Sequence, residues 1–500
     1  MEEIKQEEVI EEQKQEVLDE DDLKEQEARA AEESALNKNV TVKFLLKFTI
    51  PTILSFFVMN VFFVVDGVFA SRGVSVIALS AINVTTPFFT FAAAIAAMLA
   101  MGGCALVAKK KGMKLKQEAR ENFTLITIIT FVTSMIISVL GLILIEPILR
   151  MLGTDDFIHD SAREYLRVII LFIPFIMLGY FLVQYVIADG RPMLGMMISF
   201  TGTIISTILN ALFIFVFDLG VTGLALATGI GFGFISVVCV FYFLFYRKGT
   251  LYFVRPKWNI RALGRASLNG ISEAITMMAV TVTTIVMNNV LVRIVGFEGI
   301  AAAGIVLVLQ GVFMSLYFGY SAGVAPLVSY NYGKQLSSDD PKYADRLKKF
   351  FKKSLIIISV ISVISIIAIQ AFAPLLVQIY VPREDEVYGM ALRGLRIAST
   401  GFLLMGFNIF ATALFTAFND GKISGFLSLM RTLVFMLTLM ILLPMAFGLT
   451  GAWIAMPLAE ALSIVLTIIF LVLMGKKYKY LDVKKSTVLE SNRQENLKDS

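Results

Sequence analysis

Two cysteines and one histidine among 500 residues leave little material for thiol or metal chemistry. Cys104 and Cys239 each fall inside a long apolar run, where a free thiol packs as a small hydrophobe, so neither a disulfide nor a reactive nucleophile is expected. The single histidine, His159, stands beside Asp155, Asp156 and Asp160 and reads as a solvated loop residue, not a catalytic base. The chain has no Gly-x-x-x-x-Gly-Lys-Ser/Thr segment, no cluster with metal-ligand spacing and no nucleophile elbow. An enzyme is therefore not expected, no cofactor is implied, and any work against a gradient has to draw on an ion gradient. Charge is scarce as well. At 17% charged and 57% apolar residues, with a mean hydropathy of +0.77, the surface of this chain does not suit water.

What is present is a series of apolar runs too long for core strands. Windows of about 20 apolar residues, the length that crosses the hydrocarbon of a bilayer, place twelve spans at 45–71, 82–108, 122–147, 163–187, 192–216, 221–246, 264–293, 299–330, 354–379, 390–418, 424–446 and 450–475. The fold class expected is an all-α polytopic membrane protein. Loops on the side of the two termini carry twenty-one Lys and Arg, concentrated at 109–120, 247–265 and 334–353, against eight on the other side. Basic residues stay in the cytoplasm, so both termini are expected there, in a cell membrane crossed many times.

The runs repeat. Asp189-Gly190-Arg191, an apolar stretch and Gly220-Val221-Thr222-Gly223-Leu224-Ala225 return as Asp420-Gly421-Lys422, an apolar stretch and Gly448-Leu449-Thr450-Gly451-Ala452-Trp453. A weaker echo relates 103–112 to 324–333. Six spans per half is an even number, so the halves enter the membrane in the same sense. Two six-helix lobes related by a pseudo-two-fold axis along the membrane normal follow, a layout that transporters use to rock around a shared cavity. The lobes are expected at 41–246 and 264–478, joined by a cytoplasmic linker at 247–263, with polar tails at 1–40 and 479–500.

The first 38 residues hold fifteen Asp and Glu against five Lys and Arg, and no apolar core. This is a solvated acidic tail by composition, and it lacks the basic start and apolar stretch of a cleavable signal. The chain's formal charge of +5 divides into −10 for this tail and +15 for the rest. That excess lies in the cytoplasmic loops, where attraction to anionic lipid explains it without invoking nucleic acid.

Ionisable residues inside the spans are the sharpest candidates, because a charge at mid-bilayer costs about 2.5–3.5 kcal/mol even on an insertion scale. Asp66 lies in the outer half of the first span with no Lys or Arg in that half to neutralise it. Such a carboxylate can exchange a proton or hold a sodium ion, or it can be a structural group bonded to neighbouring helices. In the second half Glu273 and Arg431 sit at matching depths, so Arg431 is expected in an ion pair that holds its lobe together. Glu273 could instead meet a cationic substrate, and Glu460 has no evident partner. Asn288, Asn289 and Gln310 are polar at membrane depth and need bonds to other helices or to cavity water. Met59, Phe62, Phe63, Met277, Met278 and Met287 offer polarizable apolar contact for flat cations.

The stretch 51–72 with Val65-Asp66-Gly67-Val68-Phe69, the run Gly220 to Thr228, and Pro326-Leu327-Val328-Ser329-Tyr330-Asn331-Tyr332-Gly333 resemble the multidrug and toxic compound extrusion (MATE) family. Gly270-Ile271-Ser272-Glu273 with Asn288, and Arg431 with Trp453, Pro457 and Glu460, look like its MepA-like bacterial branch, and the resemblance covers roughly residues 40–478. It implies a V-shaped pair of lobes that acts as a monomer and exports organic cations and other drugs in exchange for protons or sodium. It also implies that Asp66 shares a cluster with Ser206, Asn210 and Thr228, the positions reached by counting from Gly220. Family members usually carry an amide and a carboxylate where this chain has Ser206 and Asn210. One carboxylate with neutral oxygens still suits a hard cation, and a lone aspartate suits proton coupling, so protons are the expected driver with sodium at Asp66 as the alternative. A flippase for lipid-linked precursors, of the same wider superfamily, would need a basic cavity, and Arg431 is the one deep basic residue.

Overall fold

The computed structural model describes residues 39–154, 157–246, 249–338 and 340–481; the acidic tail expected at the N-terminus falls almost wholly outside them. Apart from turns and the linker between the two halves, the described residues are helical. Helix α1, Val42–Val68, starts at the Thr41 side chain, which caps the Phe44 amide, and runs on into a π turn at Phe69–Val74. Helices α2 (Val76–Gly112), α3 (Lys116–Ile143), the short α4 (Ile145–Met151), α5 (His159–Ala188), α6 (Pro192–Phe215) and α7 (Gly220–Phe245) complete the first half.

After an extended linker, Asn259 caps α8 (Ile260–Ile294), followed by α9 (Phe297–Ser337) and α10 (Pro341–Gln378). The tenth span is two helices, α11 (Glu386–Ala398) and α12 (Phe402–Ala417), meeting at a 3-10 turn. The eleventh begins as α13 (Gly421–Leu429) and passes through a π turn at Met430–Phe435 into α14 (Met436–Tyr478). Gly448 breaks α14 at φ 57°, where a side chain would be strained. That break divides the eleventh span from the twelfth, so the twelve expected spans are present.

The sequence reading corrects in one respect. Basic loops, short ones, were expected at 109–121 and 331–353, but most of each is helix: α2 reaches Gly112 before α3 starts at Lys116, and α9 reaches Ser337 before α10 starts at Pro341. Apolar windows see only the part of a helix inside hydrocarbon. Lys and Arg are good helix formers and carry the same helix on into water.

One apolar core belongs to the first bundle. Its centre is Phe123, whose ring lies 4.9 Å from Tyr185, 4.7 Å from Phe243 and 5.1 Å from Phe253 of the linker. The second bundle has its own core around Met287, Tyr317, Phe402 and Trp453. A third cluster, at the end of the molecule that carries both described termini, joins Val40 and Leu45 at the start of the chain to Tyr320, Phe410, Tyr478 and Tyr480.

The bundles touch backbone to backbone at that same end. A Cβ on Gly112 would fall 2.0 Å from the Tyr330 carbonyl oxygen, and one on Gly333 would fall 2.0 Å from that of Lys109. These are matched positions of the two repeats, so the crossing lies on the pseudo-two-fold axis. A second crossing sets Gly102 against Ala266 and Gly270 against Met98, with 2.0 and 1.9 Å for the same test. Burial records the consequence. Residues 102–108 of α2 and 319–331 of α9 are buried without interruption, whereas the far halves of both helices are only partly covered. The lobes are closed at the end of the termini and part toward the other.

The repeated Asp-Gly-Arg/Lys motifs do one structural job in each lobe. Asp189 accepts from the Thr250 amide at 3.1 Å, the Thr250 hydroxyl at 2.6 Å, the Leu251 amide at 3.0 Å and Tyr242 at 2.8 Å. Asp420 accepts from Tyr478 and, at 3.1 Å, from Lys477. Each aspartate ties down the segment that leaves the last helix of its own lobe.

Candidate functional site

Asp66 is held where three helices of the first lobe converge. Its carboxylate, 8% exposed, accepts from the Asn210 side-chain amide of α6 and, at 3.2 Å, from the Thr228 hydroxyl of α7. The π turn that follows from Phe69 alters the α1 backbone within a turn of it. Ser206, one helical turn before Asn210, completes the group: its hydroxyl and the Asn210 carbonyl oxygen are buried and have no hydrogen-bond partner. No charged side chain contributes to the environment of Asp66 among the described residues. Asp66 thus meets two of the three positions reached by counting from Gly220, Asn210 and Thr228, with Ser206 one turn from Asn210.

Beside the cluster is a cavity lined by Ser55, Met59, Phe62, Gln184, Ser206, Thr228 and Phe232, and its wall is mostly apolar. Met59 and Phe62 stand where a ligand would touch them. Gln184, 7% exposed, was not anticipated, although an amide in the middle of an apolar span is the kind of signal that finds such residues. The side chain of Phe63 lies outside the described residues.

The second lobe is wired differently. Arg431, in its π turn, donates from Nη1 to Glu460 Oε1 at 3.2 Å, and both side chains are buried. The partner missing from the sequence reading of Glu460 is therefore Arg431, and a second is Asn408, which donates to Glu460 Oε2 at 2.7 Å and accepts from Thr467 at 2.8 Å. Asn408 could have been noticed as an amide deep in the tenth span. A cavity of about 870 Å³ opens beside the pair, with Gln310, Met314, Met405, Met436 and Met456 in its wall. Among the described residues Glu273 has neither an ion pair nor a hydrogen bond; it is partly exposed and feels Arg431 from its own lobe, and across the gap its charge reaches Tyr180 of α5.

Three expectations need correction. Met287 is 0% exposed and packs in the core of the second lobe, because it falls on the face of α8 that Ala279, Thr283 and Leu291 also bury, four residues apart. Asn288, its neighbour on a half-exposed face, lines neither cavity. His159 is not merely solvated: its ring lies 3.0 Å from Glu146 and 3.0 Å from Thr154, bracing the short α4 against the start of α5. Cys104 and Cys239 are free and buried, as expected.

Comparison with known proteins follows the same lines. The MatE family model matches residues 51–212 and 273–442, well over half of the chain. Multidrug export protein MepA of Staphylococcus saprophyticus is 26% identical over 419 residues, covering 82% of this chain and 88% of its own. The protein of that name from Staphylococcus haemolyticus is 24% identical over 385 residues, covering 76% and 82%. Among solved structures, a multidrug resistance MATE family transporter in an outward-facing conformation superposes with a TM-score of 0.82 at 19% identity, over 89% of this chain and 98% of that one. A MATE structure described as the straight conformation gives the same TM-score, identity and coverage. Twelve membrane helices in two repeated bundles, each with a polar cluster beside a cavity, together with a family match that spans both bundles, show that this chain belongs to the MatE family of membrane transporters.

Proposed function

We propose that this protein exports bulky organic cations from a bacterial cytoplasm in exchange for protons, by alternating access between its two lobes. The observation that carries the reading is Asp66, a buried carboxylate whose hydrogen-bond partners are neutral, beside an apolar-walled cavity that its partner Thr228 lines. A carboxylate with no fixed counter-ion lowers the cost of bringing a cation out of water. A proton on the same group removes that attraction, so proton and drug oppose one another through one charge. The MepA relatives are named for multidrug export, which agrees. With both termini in the cytoplasm, as the Lys and Arg count places them, closure at the glycine crossings leaves the cleft open to the outside, the state from which drug departs.

Sodium as the driving ion is a second reading, favoured by the two unpartnered oxygens of Ser206 and Asn210 beside the carboxylate. Vesicles decide between the two. A pH gradient alone should drive dye uptake into inverted vesicles, a sodium gradient at clamped pH should not, and Asp66→Asn at normal abundance should abolish uptake. Robust uptake on sodium alone would transfer the role to that ion, and undiminished pumping by Asp66→Asn would remove Asp66 from coupling altogether.

A further inference from the structure

On the outer-facing end of the second lobe, away from both polar clusters, a groove of about 1010 Å³ runs between α11 and the start of the twelfth span. One wall carries Arg393 and Arg396, three residues apart and so on one helical face. Both are exposed, and neither guanidinium has a hydrogen-bond or ion-pair partner among the described residues, although the Arg396 carbonyl accepts from Gln370 and Ser399. The other wall is Leu449, Thr450 and the edge of the buried Trp453. Glu386 is the one acid in the lining. It lies seven residues before Arg393 and ten before Arg396, about 10 and 15 Å along the helix at 1.5 Å per residue, beyond ion-pair reach of either arginine.

Depth narrows the occupant. The tenth span ends at Phe418, just before the Asp420 turn, and about 20 residues of helix cross the hydrocarbon. Counting back from Phe418 puts the far boundary of the hydrocarbon near Ala398. Arg393 and Arg396 therefore stand at the level of lipid headgroups. Below them the surface turns apolar: Leu403 of α12 is 47% exposed, and Ile454, Leu458 and Leu462 form a stripe on α14 at 37%, 36% and 41%.

The geometry points to a binding site for one anionic phospholipid of the outer leaflet, its phosphate taken by Arg393 and Arg396 and its chains laid over Leu403, Ile454 and Leu458. Guanidinium groups match phosphate oxygens in pairs and are more weakly hydrated than ammonium groups. A tapering wall of aliphatic side chains beneath two free guanidiniums suits a molecule with a phosphate head and acyl tails, and does not suit a free anion.

Native mass spectrometry of the full chain in detergent, titrated with dioleoyl phosphatidylglycerol, tests this. The expected result is one retained lipid, a fall of at least fivefold in the bound fraction for Arg393→Gln/Arg396→Gln, and a similar fall for Thr450→Trp, which fills the opposite wall. Lys349→Ala/Lys352→Ala, exposed on the other side of the bilayer, should bind as the unaltered chain does. Full retention in both groove variants would overturn the assignment. Equal retention of dioleoyl phosphatidylcholine, or displacement by soluble glycerol phosphate, would overturn it too, the first because charge would not matter and the second because the chains would not.

Discussion

At the scale of single residues, the two lobes solve the problem of a buried carboxylate in opposite ways. Asp66 is stabilised by neutral donors and keeps its charge free, whereas Glu460 is neutralised by Arg431 and braced by Asn408. Glu460 should therefore matter to folding, whereas Asp66 is proposed to act in coupling. Breaking a buried pair strands a charge, which costs about 3–5 kcal/mol, while removing both partners together costs far less. Glu460→Ala is expected to lower the thermal stability of the purified protein sharply and Glu460→Leu/Arg431→Met to recover much of it. A double variant no better than the single one would show that the guanidinium has other work, such as holding Glu273. The Asp66 cluster was legible through the family resemblance, which implies that positions counted from Gly220 meet the first-span aspartate. The fate of Met287 was not. A helix that is apolar on every side carries no stripe to tell a face turned to a cleft from one turned to its own lobe.

At the scale of elements, the ordering of apolar runs gave the spans, and the Asp-Gly-Arg/Lys repeats gave their pairing into halves. Neither revealed what the aspartates bind, since the Asp189 contacts to 250–251 and the Asp420 contact to Tyr478 join residues 58 to 62 positions apart. Asp420 lies outside the membrane spans, and its carboxyl titrates below its usual value of 3.8. Burial alone would raise it, but hydrogen bonds from Tyr478 and Lys477 to the charged form outweigh burial. A carboxyl lowered in the folded state stabilises it above the unfolded value and loses that contribution as the pH falls through the folded one. Asp420→Asn should thus reduce the melting temperature at neutral pH, with the difference from the unaltered chain closing as the pH drops below 3.8. A difference that stays constant down to about pH 3 would mean that the charge of Asp420 is not what fastens the chain end.

At the scale of the whole molecule, similarity of the repeats predicted the two bundles but not how closely they meet, because a glycine in an apolar run reads alike whether it faces lipid, a side chain or another backbone. Gly112 and Gly333 face each other across the pseudo-two-fold axis, each pressed on a carbonyl belonging to the helix of the other. Two obstacles placed at one point are not independent. Once an alanine at either position has pushed α2 and α9 apart, a second methyl enters space that the first has already opened. Gly112→Ala and Gly333→Ala should then shift the protein by nearly equal amounts when made singly. Made together, they should shift it by little more than one alone, a coupling of about 0.5–3 kcal/mol in a double-mutant cycle read by cysteine accessibility at the end that carries both described termini. Strict additivity would separate the two positions. The proposed non-additivity would instead make the pair a single hinge point shared by both halves and usable only when both positions stay bare.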